Sequence, residues 1–382
     1  MKTPYFLIKK KELDQNIDDF FEALHVEWGA SVLAYSFKTN SLPWLLTYLK
    51  DKGCYAEVVS SCEYELALKL GYQKDKIVFN GPVKGKEEFL DAFWNGSIIN
   101  IDSEREITWL EELEPLEETR SIGIRVNFGI EDICAGEIGY EEDGTRFGFN
   151  YENGSLEKAI NRLQNIPNIK VCGLHMHSTS ASRSLKVYRA LAQMASRIVK
   201  EMHLEVEYID IGGGFFGGMP GKTTFKEYVA AIRQELHDID SENVTLIVEP
   251  GSAIIGSCVE LVTTVIDVKD NAKSRIVTID GSRCNVDPLM IKKRHFYRIE
   301  GNGEVLPVRQ VVCGYTCMDK DRLMVLESEQ ELEVGDQLVF EKVGSYTMAL
   351  NPLFIQYYPA VYVDEEGYPC VRRAWNVDDY LR

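Results

Sequence analysis

The chain has 382 residues, 45% of them apolar, and its 42 Lys+Arg against 60 Asp+Glu give a formal charge of −18. At roughly 100–200 residues per domain, that length implies two or three domains and ample core, and the composition excludes a disordered, collagen-like or coiled-coil chain. The acid surplus disfavours a nucleic-acid groove or an anionic membrane surface, so phosphate or carboxylate ligands must be held by local devices.

The N-terminus offers Tyr5-Phe6-Leu7-Ile8 before Lys9-Lys10-Lys11, too short for a signal-peptide core, and no apolar run approaches a membrane span. A cytoplasmic soluble protein is the expectation. From about residue 30 to 250 a short apolar run, a turn and an amphipathic stretch alternate. The candidate strands are 32–37, 57–60, 77–80, 98–101, 122–127, 171–177, 206–211 and 246–249. Helix-like segments lie between them at 43–50, 63–70, 86–94, 104–113, 156–163, 185–202 and 225–236, with three- and four-residue apolar spacing as in Leu185, Tyr188, Leu191, Met194 and Ile198. Ser60-Ser61-Cys62-Glu63 has the form of a capping box and starts a helix directly after its strand. Eight βα units in about 220 residues match a closed (β/α)8 TIM barrel; a doubly wound open sheet is the alternative.

After Pro250 the helical pattern fades and β-rich segments dominate at 258–268, 275–280, 295–299, 306–312, 337–343 and 355–363, separated by turn signals such as Glu300-Gly301-Asn302-Gly303. The expected division is an N-terminal segment 1–28 whose first strand joins the C-terminal sheet, a barrel 29–253 and an antiparallel β domain 254–382. Nine cysteines is an odd number, and they are scattered without CxxC spacing. That points to mostly buried thiols in a reducing compartment rather than a disulfide framework or a zinc knuckle.

In a (β/α)8 barrel the C-terminal strand ends line the active site. Here they carry Lys38, Glu57, Asn80, Asp102, Asn127, His177, Gly212-Gly213-Gly214 and Glu249. An ammonium at the end of a buried strand is costly unless paired or shifted in pKa, and a desolvated lysine suits Schiff-base chemistry; the plain alternative is a lysine reaching solvent. Glycines after the seventh strand, with Glu249-Pro250-Gly251-Ser252 after the eighth, stand where barrels commonly bind phosphate. His175 and His177, two apart on one strand, share a face. They could be two metal ligands lacking an obvious third, one packed and one rim histidine, or a rim imidazole stacked on a flat cofactor ring. Cys317, in Cys313-Gly314-Tyr315-Thr316-Cys317-Met318-Asp319, is either a small buried hydrophobe or an exposed proton donor.

Together these residues resemble the fold type III pyridoxal-phosphate decarboxylases, the group of ornithine, diaminopimelate, arginine and carboxynorspermidine decarboxylases, over nearly the whole chain. The family's Y-x-x-K-x-N appears as Tyr35-Ser36-Phe37-Lys38-Thr39-Asn40, and its D-x-x-S-x-x-E resembles Glu57-Val58-Val59-Ser60-Ser61-Cys62-Glu63. K-F-G resembles Arg146-Phe147-Gly148, H-x-G-S resembles His177-Ser178-Thr179-Ser180, and the phosphate glycines match Gly212-Gly213-Gly214. E-P-G matches Glu249-Pro250-Gly251, G-x-T-C matches Gly314-Tyr315-Thr316-Cys317, and G-A-Y resembles Gly344-Ser345-Tyr346.

The resemblance implies an alanine-racemase-like barrel and β domain, pyridoxal 5'-phosphate as cofactor, an amino-acid substrate and a homodimer with shared active sites. It implies that Lys38 carries the cofactor, that His177 stacks on its ring and that Glu249 holds the pyridine nitrogen. Cys317 would protonate the reacting carbon from across the dimer interface. Glu57, Ser180, Gly212, Gly213, Gly214, Gly251, Ser252 and Tyr346 complete the implied cofactor set. Alanine racemases place an arginine at the ring nitrogen, so a carboxylate there argues for decarboxylation. Three departures stand out: Thr179 for the family glycine, Ser252 for the arginine of E-P-G-R, and Met318 for the acid after the cysteine. With that acid gone, a simple ornithine or lysine substrate is disfavoured. Asp319, Asp321 or Asp287 would take over its role beside Met318, or the far end of the substrate is neutral, bulky or carboxylated, as in siderophore precursors, polyamine conjugates or carrier-bound compounds. The competing readings are a catalytically silent regulatory homologue of the antizyme-inhibitor kind and a racemase on the same fold. Retention of Lys38, His177, Glu249 and Cys317 counts against the silent homologue.

Overall fold

The computed structural model describes residues 1–138, 144–178, 180, 182–305 and 307–381. They fall into two units, Ile17–Lys38 with Pro43–Ala253, and Met1–Asn16 with Thr39–Leu42 and Ile254–Arg382. Strand β1 (Tyr5–Ile8) lies in the second unit.

The larger unit is built from β2 (Ser31–Ser36), β3 (Tyr55–Ser60), β4 (Ile77–Val83), β5 (Ile98–Ile101), β6 (Arg120–Asn127), the short β7 (Phe149–Asn150), β8 (Ile169–His175), β9 (Tyr208–Asp210) and β10 (Thr245–Val248). Every pairing is parallel. The order runs β2-β3-β4-β5-β6-β8-β9-β10, and β10 returns to β2, which closes an eight-stranded barrel with β7 appended to β6. The open-sheet alternative is thereby excluded. Ala34, Val78, Cys172, Tyr208 and Ile247 form an apolar layer contributed by five strands. The Tyr208 ring fits among them because β8 carries Gly173, where a Cβ would lie 2.0 Å from the ring.

Helices follow the strands nearly as the apolar spacing predicts. Ser60 caps Ser61–Lys69 by accepting from the Glu63 N–H, and Glu63 returns a bond to the Val59 N–H. One long helix, Lys10–Glu27, was not anticipated within the expected segment 1–28. Its apolar stripe, Leu13, Ile17, Phe20 and Leu24, is fully buried but narrow and set among acids, so it reads weakly in sequence. Within the barrel unit Phe20 stacks on Phe225 at 4.2 Å.

The smaller unit holds β1 with β11 (Val259–Asp270), β12 (Arg275–Ile279), β13 (Phe296–Glu300), β14 (Gln310–Cys313), β15 (Arg322–Leu326), β16 (Gln337–Glu341), β17 (Ala360–Val363) and β18 (Cys370–Arg372). The long β11 is the hub, pairing antiparallel with β1, β12 and β16. Two pairs in this antiparallel-rich sheet are parallel, β1 with β17 and β12 with β14. Both are joined through long connections, as parallel neighbours require. β15 (RLMVL) and the three-residue β18 were not anticipated, and the expected strand at 306–312 starts only at Gln310, with Leu306 outside the described residues. Among the described residues no helix is long and apolar enough to cross a membrane.

Candidate active site

Barrel closure brings the chemistry-bearing ends of six strands together. β2 ends in a single 3-10 turn, Phe37–Thr39, that lifts Lys38 off the strand. Its Nζ donates to Ser36 Oγ and Glu57 Oε2, both at 2.7 Å, and the lysine side chain keeps 41% of its surface exposed. This is a paired amine that still reaches open space. Glu57 is buried on β3, three residues before the strand ends rather than at its tip. It also accepts from the Ser36 hydroxyl and, at 3.3 Å, from Asn80 Nδ2.

Asn80 ties two carboxylates together, because the same amide nitrogen donates to Glu249 Oε1. Behind it Asn100 Nδ2 donates to Asn80 Oδ1 at 2.8 Å, and Tyr208 OH donates to Asn100 Oδ1 at 2.9 Å. Asp210 is fully buried on β9, hydrogen-bonded to Glu249 and accepting from the Gly212 N–H at 2.8 Å. Burial and the adjacent Glu249 charge raise its pKa well above the carboxylate range, so it holds a proton. Burial alone would raise Glu249 as well. The His175 ring 3.6 Å away, the proton on Asp210 and the Lys38 charge outweigh it and hold Glu249 ionised. Two carboxyls therefore share one proton, and the anion is Glu249.

His177 lies two residues beyond the end of β8, not on it, yet its ring remains roughly parallel to that of His175, with centroids 6.3 Å apart. The Gly213 N–H donates to Nδ1 at 3.2 Å, which leaves the proton of the neutral ring on Nε2. Desolvation, with Arg125 adding to it, lowers the His177 pKa to about 3. A neutral, oriented imidazole presents a flat face suited to an aromatic ring. The glycine loop is shaped by that neighbour. Gly212 has φ +72°, and a Cβ there would lie 2.4 Å from His177 Nδ1; a Cβ on Gly213 would lie 2.3 Å from the Glu249 carbonyl oxygen. Tyr188 OH donates to Gly213 O at 3.2 Å and anchors the loop from beneath.

Gly251 and Ser252 follow β10, with Ser252 opening a short helical turn. Ser180 Oγ donates to Glu137 O at 3.3 Å and accepts from the Arg183 N–H at 2.7 Å, so it braces its own loop. Thr179 lies outside the described residues. Arg125 donates to Asp102 at 3.2 Å and packs 4.4 Å from the Phe147 ring, and the Gly148 N–H donates to the same Asp102. Asp102 was expected as a strand-end residue, but Arg125, Asn100, Asp210 and Tyr208 were not among the expected site residues. Their alternation with apolar neighbours was the available signal: on β9, Tyr208 and Asp210 bracket Ile209.

The metal reading changes partners. His175 groups with Asp210 and Glu249, not His177, with one ligand atom from each within 4.8 Å of the others. Three donors at that spacing could hold a divalent cation, but Asp210 and Glu249 already satisfy each other through a proton.

The remaining expected residues lie on the smaller unit. Cys317 is exposed, Met318 half-buried and Asp319 exposed. Asp321 is buried and accepts from Ser282 Oγ, Arg283 N–H and the Thr316 N–H and hydroxyl, so it holds the Cys317 turn together. Asp287 is buried in a fork from Arg283, at 2.9 and 3.2 Å, with the Lys292 N–H on the same oxygen. Tyr346, at φ +58°, donates its N–H to Thr39 O at 2.9 Å, and Asn40 Nδ2 donates to Gly344 O at 3.1 Å. A Cβ on Gly344 would lie 1.9 Å from the Ile255 carbonyl oxygen.

The barrel residues fit pyridoxal phosphate. A glycine cradle that any Cβ would fill, a buried anion, a flat neutral imidazole and a reachable amine match a group with a phosphate, a ring nitrogen, an aromatic face and an aldehyde. Comparison with known proteins agrees. A family model described as the pyridoxal-binding domain of pyridoxal-dependent decarboxylases matches residues 14–256. The diaminopimelate decarboxylase of Helicobacter pylori (strain J99) is 28% identical over 356 residues, covering 90% of this chain and 86% of that protein. A probable chloroplastic diaminopimelate decarboxylase of Oryza sativa subsp. japonica is 25% identical over 398 residues, covering 100% and 79%. The crystal structure of diaminopimelate decarboxylase from Helicobacter pylori complexed with L-lysine matches with a TM-score of 0.84 at 25% identity, covering 99% of this chain and 96% of that one. The chain belongs to the fold type III pyridoxal-dependent decarboxylases and is an amino-acid decarboxylase that uses pyridoxal phosphate.

Proposed function

We propose that this enzyme removes the α-carboxylate of an amino acid whose far end is not read as a bare ammonium. Met318 carries this reading: it stands where the family has an acid, while Asp287 and Asp321 are already engaged by Arg283, Ser282 and Thr316. Asp319 is the exposed member of the three acids. A neutral, bulky or carboxylated far end suits that environment. meso-Diaminopimelate, for which the relatives are named, has a carboxylated far end and heads the compounds to test; siderophore-precursor and polyamine-conjugate amino acids follow.

The cofactor, when bound, accepts the electron pair left behind as carbon dioxide departs. The roles proposed for the chain's own residues come from the family resemblance and are supported by their surroundings. Lys38 offers the amine that holds the cofactor. Glu249, kept anionic by Asp210 and His175, would hold the ring nitrogen and keep it protonated. His177 would cover the ring face and exclude water, and the Gly212–Gly214 loop would receive the phosphate through the Gly214 N–H, since the Gly212 and Gly213 N–H groups are engaged by Asp210 and His177, with Gly251, Ser252 and Ser180 completing the set. Cys317 delivers the proton to the α-carbon, and as an exposed loop residue it would do so from the second subunit of a homodimer.

The test is a panel of ornithine, lysine, arginine, meso-diaminopimelate, carboxynorspermidine and citryl-diamine compounds, scored for carbon dioxide release. Preferred turnover of ornithine or lysine would overturn the substrate reading. A protein that binds cofactor yet releases nothing from any compound favours the silent homologue, and deuterium uptake at Cα without carboxylate loss favours a racemase. Lys38→Ala should abolish the visible absorption of bound cofactor. Mixing inactive Lys38→Ala with inactive Cys317→Ala should restore activity if sites are shared between subunits; no recovery after confirmed subunit exchange would argue that each subunit is self-sufficient.

A further inference from the structure

We propose that Arg183 supplies the phosphate-side positive charge that the chain lacks at Ser252. The inference rests on the reading of Gly212–Gly214 as the phosphate loop. Ser252 brings a hydroxyl to the loop after β10 and no charge, although the protein's net charge of −18 opposes binding of a phosphorylated dianion. Arg183 answers that from the loop after β8. One guanidinium nitrogen donates at 3.2 Å to the carbonyl of Phe215, the residue directly after Gly214, and the guanidinium carbon lies 5.2 Å from the Phe216 ring.

Its backbone is locked at both ends. The N–H donates to Ser180 Oγ at 2.7 Å, and the carbonyl accepts from Tyr228 OH at 2.6 Å. The residue also adopts φ +55°, a conformation that a non-glycine residue takes only when its surroundings impose it. Among the described residues no carboxylate pairs with it, in a chain where acids outnumber bases. An arginine with one carbonyl contact retains several N–H donors for an anion, in the planar geometry that phosphate oxygens match. The pinned backbone, the aromatic shelf and the lack of a carboxylate partner among the described residues are what a phosphate-facing guanidinium needs.

The experiment follows cofactor release from holoenzyme by loss of its visible absorption during dialysis, at low and high salt, for wild type, Arg183→Gln, Arg183→Lys and the double variant Arg183→Gln/Ser252→Arg. Arg183→Gln keeps an N–H for Phe215 O but no charge, and it should release cofactor at least about tenfold faster at low salt, with the gap narrowing at high salt. Arg183→Lys should recover part of the retention, and restoring an arginine at 252 should recover most of it. Pyridoxal, which lacks the phosphate, should bind wild type and Arg183→Gln equally. Unchanged release from Arg183→Gln, or equal weakening of pyridoxal and pyridoxal phosphate, would overturn the proposal. Gly213→Ala separates the underlying reading: if it leaves cofactor release unchanged, the glycine loop is not the phosphate site and the assignment of Arg183 falls with it.

Discussion

Asn80→Asp tests the carboxylate cluster at its centre. The substitution conserves shape but turns a donor shared by Glu57 and Glu249 into a third acid. A charge at the amide nitrogen's position, 3.3 Å from Glu57 Oε1, would be repelled by about 5 kcal/mol at an effective dielectric of ~20. The new group would escape by keeping its proton. From an unfolded pKa of about 3.9, that costs about 1.4 kcal/mol per pH unit and caps the penalty near about 4 kcal/mol at pH 7. The sign follows. A carboxyl whose folded pKa is raised leaves the folded state binding more protons than the unfolded one, so the titrating part of the deficit is absent below about pH 4 and grows as pH rises above it. Asn80→Leu removes the same bonds without a titrating group, so its deficit should be nearly independent of pH. The assay is urea unfolding of both variants and wild type between pH 4 and 8. If the Asn80→Asp deficit is as flat as that of Asn80→Leu, Glu57 and Glu249 are not both charged around this position, and the assignment of Glu249 as the anion fails.

Glu249→Gln keeps an acceptor for Asn80 but removes the charge; it should retain bound cofactor while carbon dioxide release falls by at least about 10²-fold, and an unchanged rate would dismiss Glu249 as the group facing the ring nitrogen. Lys84 and Glu106 form an ion pair with no side-chain exposure, in which Nζ also donates to the Gly81 and Asn100 carbonyls. Lys84→Met alone should cost about 3–5 kcal/mol in urea unfolding, and Lys84→Met with Glu106→Gln should recover more than half of it, since the buried charge is then gone. His177, depressed to about 3, stays neutral in the folded protein while its unfolded counterpart titrates near 6.5. Its contribution is therefore complete above pH 6.5 and lost as pH falls toward 3, about 1.4 kcal/mol by pH 5.5, and His177→Phe should lack that part of the acid slope in thermal unfolding.

Sequence pattern exposed the barrel because its strands are short, largely apolar runs bounded by turns, and the motif residues because they stand at or near strand ends. Lys38, Glu57, His177, Gly212–Gly214 and Glu249 do converge within one unit. What escaped is the layer beneath them. Asn100, Asp210 and Tyr208 sit inside runs that look apolar, and their role depends on which strand lies opposite, a relation between residues as far apart as the 110 positions from Asn100 to Asp210. That hidden layer decides the chemistry. The motif alone identifies Glu249 as an acid, but only the proton held by Asp210, the amide of Asn80 and the ring of His175 make it a permanent anion. The same logic applies at the phosphate end, where a motif position lost its charge at Ser252 and the compensating group can be found only by following the Phe215 carbonyl back to Arg183. A bound phosphate needs charge and geometry, whichever loop supplies them, so a departure from a motif is a reason to search the neighbouring loops for the missing group rather than to infer its loss.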